Sequence, residues 1–287
     1  LIRMIKKHIA IMLIFISAAL NVPATAAIPD VIYHLNDKGE AIGRFSIYSK
    51  NDILFCTGDD PAGTENNRAA ELMLQGEFAA ASKLLENALI HAPLFLPFRY
   101  NLGICFLYLK RLDEAMMHFT KAKQLVPEYD KIYLQTGYIH DRKNDEARAL
   151  EDFRTALRLN PAELNTYILI GDIYYKRNQA SLARRYYEHA LKINPSYPNG
   201  LLGLAKIHFQ KEEYIKAIVL LKSIDTSGEY DKSLHFYYAE SSFKLRDYRR
   251  AAEEYEMLLS FRTDRFFLVN SAHLIKHKLD LSRRFIE

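Results

Sequence analysis

The chain has 287 residues, with 39 Lys plus Arg against 35 Asp plus Glu, no Trp, and many Tyr and Phe. That length holds one or two domains with a sizeable core. The opposite charges are interspersed, which excludes the basic footprint of a nucleic-acid binder.

In chain order, the first element is a targeting segment. Arg3, Lys6 and Lys7 precede the apolar run Ile9 to Leu20, and Ala24, Thr25 and Ala26 follow as a small-x-small site. This is the order of a secretory signal peptide, assigned to residues 1–26. An uncleaved anchor is the weaker alternative, because the apolar run falls short of the ~20 residues of a membrane span. No cysteine follows the run, so a lipid anchor is not indicated. Cleavage after Ala26 removes three basic residues and takes the net charge from +4 to about +1. The expected location is therefore exported, periplasmic or secreted.

Residues 27–61 form a β-prone segment. The runs VIYHL, AIGRFSIYS and ILFCT are parted by turn-forming Asn36 to Gly39 and by Asn51 and Asp52. A small hairpin covering the start of the next segment is expected; an arm that orders on a partner is the alternative. An exported chain permits a bridge between Cys56 and Cys105. Later repeats place Ile where Cys105 stands, which favours a buried free thiol.

From Ala62 the chain is periodic. Pro93, Pro127, Pro161 and Pro195 are spaced 34 residues apart, which defines units starting at Ala62, Leu96, Asp130, Leu164, Pro198 and Lys232. The eighth place reads Ala69, Gly103, Gly137, Gly171, Ala205 and Ala239, and the twentieth is always alanine, from Ala81 to Ala251. The twenty-fourth place is large: Leu85, Phe119, Phe153, Tyr187, Leu221 and Tyr255. Small residues let two antiparallel helices approach, and the large one fills the space beside them. Turn residues Gly76, Asp113, Asn144, Asn178 and Asp247 are expected to part the two helices. Proline then ends the second helix.

These places carry a resemblance to the tetratricopeptide repeat family, whose 34-residue unit reads W-x2-L-G-x2-Y, then A-x3-F, then P. The fourth unit matches throughout with Tyr167, Ile170, Gly171, Tyr174, Ala183, Tyr187, Ala190 and Pro195. The second departs only at Arg99, and the first has Glu65 and Arg68 at places normally apolar. The resemblance implies an all-α, right-handed superhelical solenoid of six helix-turn-helix repeats over 62–265 (62–95, 96–129, 130–163, 164–197, 198–231 and 232–265). Residues 266–287 are expected to add a C-terminal capping helix, which closes the open end of a repeat array.

No catalytic constellation stands out. There is no phosphate loop, CxxC, GxSxG or HExxH. His273 and His277 share a helix face, but two ligands do not make a metal site. His140 and His208 stand at the eleventh place, where an aromatic packs, and are expected to fill the core. Glu253, Glu254 and Glu256 are expected on a solvated face. No enzyme activity, cofactor or metal is expected.

Places 2, 5, 9, 12 and 13 of each first helix turn away from the packed stripe, toward the concave groove that solenoids use for binding. There stand Tyr100, Leu134, Tyr138, Arg142, Asp172, Tyr175 and Lys176, then Lys206, Phe209, Phe236 and Glu240. Asn101 and Lys131 match two places of the family's carboxylate clamp, whereas Asn66, Ala70 and Gln135 depart from it. The chaperone role is therefore not expected. Groove aromatics suit an interface. The expected partner is a protein or peptide of the cell envelope, with a glycan as the alternative. Neither nucleic acid nor a transmembrane span in the mature chain is expected.

Overall fold

A computed structural model of the chain describes residues 30–35, 41–58, 60–224, 232–261 and 272–286. The signal-peptide assignment and the joint between the last repeat and the final helix lie outside these residues. The chain divides into two compact units, one ending at Leu159 and one starting at Asn160.

The first unit opens with three strands, β1 (Asp30–Leu35), β2 (Ala41–Lys50) and β3 (Ile53–Thr57), in the order β1-β2-β3 with both pairings antiparallel. Asn51 and Asp52 make the two-residue turn between β2 and β3, both with positive φ, as a hairpin matched to sheet twist requires. Six helices follow in pairs: α1 (Pro61–Leu74) with α2 (Phe78–His91), α3 (Leu96–Tyr108) with α4 (Leu112–Leu125), and α5 (Asp130–Arg142) with α6 (Glu146–Leu159). The second unit repeats the theme with α7 (Leu164–Lys176) and α8 (Ala180–Ile193), α9 (Pro198–Gln210) and α10 (Tyr214–Lys222), and α11 (Lys232–Lys244) and α12 (Tyr248–Ser260), then the single helix α13 (Ala272–Ile286).

The small and large places meet as the spacing requires. A Cβ added to Gly103 would lie 2.6 Å from the Phe119 ring, at Gly137 2.6 Å from Phe153, and at Gly171 2.5 Å from Tyr187. Gly203 of the next repeat also closes on the Tyr187 ring, at 2.7 Å. All six alanines of the twentieth place are fully buried.

The turn inside each repeat falls where expected at Gly76, Asn144 and Asn178 and departs from the expectation at Asp113 and Asp247. The break falls at the fifteenth place throughout, at Gly76, Lys110, Asn144, Asn178, Glu212 and Arg246, each with positive φ. Each closes with the same two bonds, as in Lys110 N–H to Leu107 C=O (3.0 Å) and Arg111 N–H to Phe106 C=O (2.8 Å). This is the Schellman closure of a helix end. Asp113 instead sits in the first turn of α4, and Asp247 caps α12 by accepting from Arg250 N–H. Both acids stabilise helix N-termini.

Three of the four repeat-ending prolines have a partner the sequence hid. The fourth place of the next repeat donates to the proline carbonyl: Arg99 to Pro93 (3.3 Å), Tyr133 to Pro127 (2.8 Å) and Tyr167 to Pro161 (3.1 Å). Arg99 thus keeps a donor at the place where repeats three and four have tyrosine.

Cys56 and Cys105 are free and buried. Burial, above all, pushes both thiols up to about 12.

Candidate interaction surface

In the first unit, the face of the first helices is already occupied by the chain itself. Asn101, on α3, accepts from Leu54 N–H and donates to Leu54 C=O, both at 2.8 Å. Asn67, on α1, does the same to Cys56 at 2.7 Å. Asn66 adds a donation to Leu54 C=O at 2.8 Å and receives one from Asn101 at 2.9 Å. Three side-chain amides thus act as a surrogate strand on the outer edge of β3, pairing alternate residues as a sheet neighbour would. At the hairpin tip, Lys131 on α5 stands 3.7 Å from Asp52. The β segment is therefore a three-stranded wall seated on the inner helices of repeats one and two, and its Leu54, Phe55 and Cys56 belong to their core.

This corrects several site expectations. Asn101 is fully buried and engaged with Leu54. Tyr100 is fully buried too, because the fifth place points into the core here: its ring meets Phe119 at 5.5 Å and Tyr129 at 5.9 Å, edge to face. Leu134, also at the fifth place, is buried. Tyr138 is half-buried and Arg142 exposed, the guanidinium donating to the Tyr138 hydroxyl at 3.1 Å.

In the second unit the expected residues converge. Tyr237, which the place rule missed, is their hub. Its ring lies 5.3 Å from Phe209 and 5.3 Å from Phe236, edge to face in both. Its phenol is hydrogen-bonded to Tyr175, and burial, then Tyr175 and Asp172, raise its pKa. Asp172 accepts from the Tyr187 phenol at 2.7 Å. Lys176 is exposed and Lys206 half-buried. Glu240 is buried, accepting from the Tyr255 phenol (2.8 Å) and from Lys278 of α13 (2.6 Å to each oxygen).

The eleventh-place histidines are half-buried, each beside a carboxylate. His140 faces Asp152 at 3.8 Å and His208 faces Glu213 at 2.5 Å. Glu254 is not solvated: it is buried and 2.7 Å from the buried His235. Glu253 and Glu256 are exposed, as are His273 and His277.

Family models agree with this architecture. A tetratricopeptide repeat model matches residues 67–130, another matches 130–163, and a TPR repeat model matches 171–212. The chain is a tetratricopeptide repeat protein. No curated protein matches its sequence. Among solved structures it is similar to PilF of Pseudomonas aeruginosa, with 16% identity, 70% of this chain and 91% of that one covered, and a TM-score of 0.61. It is also similar to PilW, described as a widely conserved type IV pilus biogenesis factor, at 18% identity, 75% and 100% coverage and a TM-score of 0.62. A tetratricopeptide repeat protein of Parabacteroides merdae aligns at 17% identity over 77% of this chain and 98% of its own, with a TM-score of 0.50. At such identities the likeness concerns the fold.

The family makes this tetratricopeptide repeat protein an interaction scaffold. Among the described residues, no helix is long and apolar enough to cross a membrane. What the sequence reading missed is the sixth place: Asn67, Asn101 and Tyr237 all stand there, and all three face the inner surface. The signal was present, since Asn101 matches the family's carboxylate clamp at that very place.

Proposed function

We propose that this is an exported, non-catalytic scaffold that takes an extended segment or a helix of a cell-envelope protein on the first-helix face of its second unit. One observation carries the reading: Tyr175, Phe209, Phe236 and Tyr237 gather on that face, ring against ring and phenol to phenol. All four are half-buried, and Phe209 also meets Tyr214 of α10 edge to face at 5.5 Å. Clustered aromatics with partly spent polar groups are the usual anchors of an interface.

In the first unit the same face is taken by β3, so we assign partner contact there to Tyr138 and Arg142 of repeat three. The mode of β3 docking supports an extended ligand, because inner-face side chains of this chain already grip backbone amides. The export assignment rests on the n-region, apolar run and small-x-small site of residues 1–26. Similarity in fold to a pilus biogenesis factor is consistent with envelope work and adds nothing about the partner.

A polysaccharide-associated or export-assisting role is the second reading. Sugar stacking needs free ring faces in a row. Here the rings of Phe209, Phe236 and Tyr237 meet edge to face at 5.3 Å, an arrangement suited to an apolar protein anchor.

The test is a photo-crosslinking residue at Tyr175 in intact cells. A discrete protein adduct that Phe209→Ala diminishes is the expected result. If Tyr175 captures no protein while a probe at the exposed Val219 of α10 does, the inner face is the wrong surface.

A further inference from the structure

Repeats four and six share an arrangement. In each, a carboxylate at the ninth place of the first helix accepts the phenol of a tyrosine at the twenty-fourth place of the second: Asp172 with Tyr187 at 2.7 Å, and Glu240 with Tyr255 at 2.8 Å. In repeat six the carboxylate is completed by a cation. Lys278 of α13 reaches both Glu240 oxygens at 2.6 Å, and its ammonium lies 5.9 Å from the ring of Phe243, the twelfth-place residue. In repeat four the twelfth place is Tyr175, again aromatic. There, among the described residues, no basic side chain pairs with Asp172, and Lys206, one repeat along at the ninth place, forms no ion pair with it. The chain thus contains one filled and one unfilled copy of the same site.

The geometry points to Asp172 and Tyr175 as a receptor for a lysine side chain of the partner, seated as Lys278 is seated against Glu240 and Phe243. The chemistry fits at both ends of the side chain. The carboxylate, already oriented by the Tyr187 phenol, has an oxygen left for a charge-assisted bond. The Tyr175 ring offers a face for the ammonium and an apolar surface for the methylene stem. Burial, then the charge of Asp172 and the phenol bond to it, hold the Tyr187 proton in place, and its pKa is far above the usual value. The tyrosine therefore stays a donor to the carboxylate. The inference names partner chemistry for the surface proposed above and rests on that reading.

The probe is an acetylated, amidated alanine pentapeptide with one central lysine, beside its norleucine counterpart, each titrated into the full chain by two-dimensional NMR. The lysine peptide is expected to shift the amides of Asp172 and Tyr175, and the norleucine peptide is not. Asp172→Asn, which keeps an oxygen for the Tyr187 phenol, should weaken the lysine peptide about tenfold, the order of one charge-assisted bond. Lys278→Met should open a second set of shifts at Glu240 and Phe243. Equal responses to the two peptides, an Asp172→Asn variant that binds like the parent, or a folded Lys278→Met variant with no second site would each overturn the assignment. The crosslink at Tyr175 separates the two ideas. An adduct of unchanged yield in Asp172→Asn leaves the scaffold standing and removes the lysine, whereas lysine binding with no adduct in the parent does the reverse.

Discussion

Arg246 and Glu212 hold φ near +60°, a region where an L side chain crowds its own carbonyl at a cost of about 1–2 kcal/mol. Glycine removes that crowding and gives back part of the gain as unfolded-state entropy. Arg246→Gly is therefore expected to stabilise the protein by about 0.5–1 kcal/mol, read as a higher urea midpoint at unchanged m. Gly171 argues the other way. Its missing Cβ is the space occupied by Tyr187, a ring that also lies against Gly203 and is tied through its phenol to Asp172, so the ring has little room to shift. Gly171→Ala should cost about 1–3 kcal/mol by overpacking.

His118 sets a pH dependence. Burial, then the nearby Arg99 and Lys121 charges, lower its pKa from the usual 6.5 to about 4, with Glu114 opposing. The unfolded chain therefore takes up the proton first as pH falls, so the stability that His118 contributes is whole above about pH 6.5 and drains toward pH 4. The loss is up to about 3 kcal/mol. Urea titrations at pH 7, 5.5 and 4 should show it, and His118→Gln should flatten the acid limb. An unaltered limb in that variant would assign the loss to other groups.

At the scale of elements, the repeat works because each first helix is closed by the same pair of backbone bonds and each helix pair by one small and one large residue. The N-terminal sheet is held differently, by side-chain amides on a strand edge that would otherwise expose its N–H and C=O groups. Asn101 is the one whose loss matters most, since it accepts from Leu54 N–H in a fully buried setting. Asn101→Ala should cost about 1–3 kcal/mol for the stranded group. It should also let a thiol reagent reach Cys56, which β3 carries into the core. Labelling of Cys56 no faster than in the parent would show that the apolar contacts of β3 suffice without the clamp.

At the scale of the whole molecule, contacts within each unit run from a repeat to its neighbours, so stability is close to a sum of local terms. Damage should therefore stay local. In Gly171→Ala, amide exchange is expected to quicken in α7, α8 and α9, which surround Tyr187, and to hold its parental rate in α12 and α13. Uniform loss of protection across the second unit would mean that it opens as one cooperative block.

The period of 34, the small and large places and the stopping prolines were legible in the chain alone, because close packing of two helices constrains single positions that recur in register. The turn was misplaced at Asp113 and Asp247, which stand just past Lys110 and Arg246, and was left unassigned at Glu212, because a Schellman closure is imposed by backbone geometry and tolerates unsuitable side chains at a modest cost. The candidate surface was half legible. Tyr175, Phe209 and Phe236 stood out as aromatics off the packed stripe, but helical angle alone cannot say whether the fifth place, as at Tyr100, points outward or into the core. Only tertiary structure decided that, and only it could show Asn66, Asn67 and Asn101 closing on a strand of their own chain, or Lys278 reaching Glu240. Such contacts join residues about 10 to 50 positions apart with no period between them, so no local or repeating signal in the sequence can carry them.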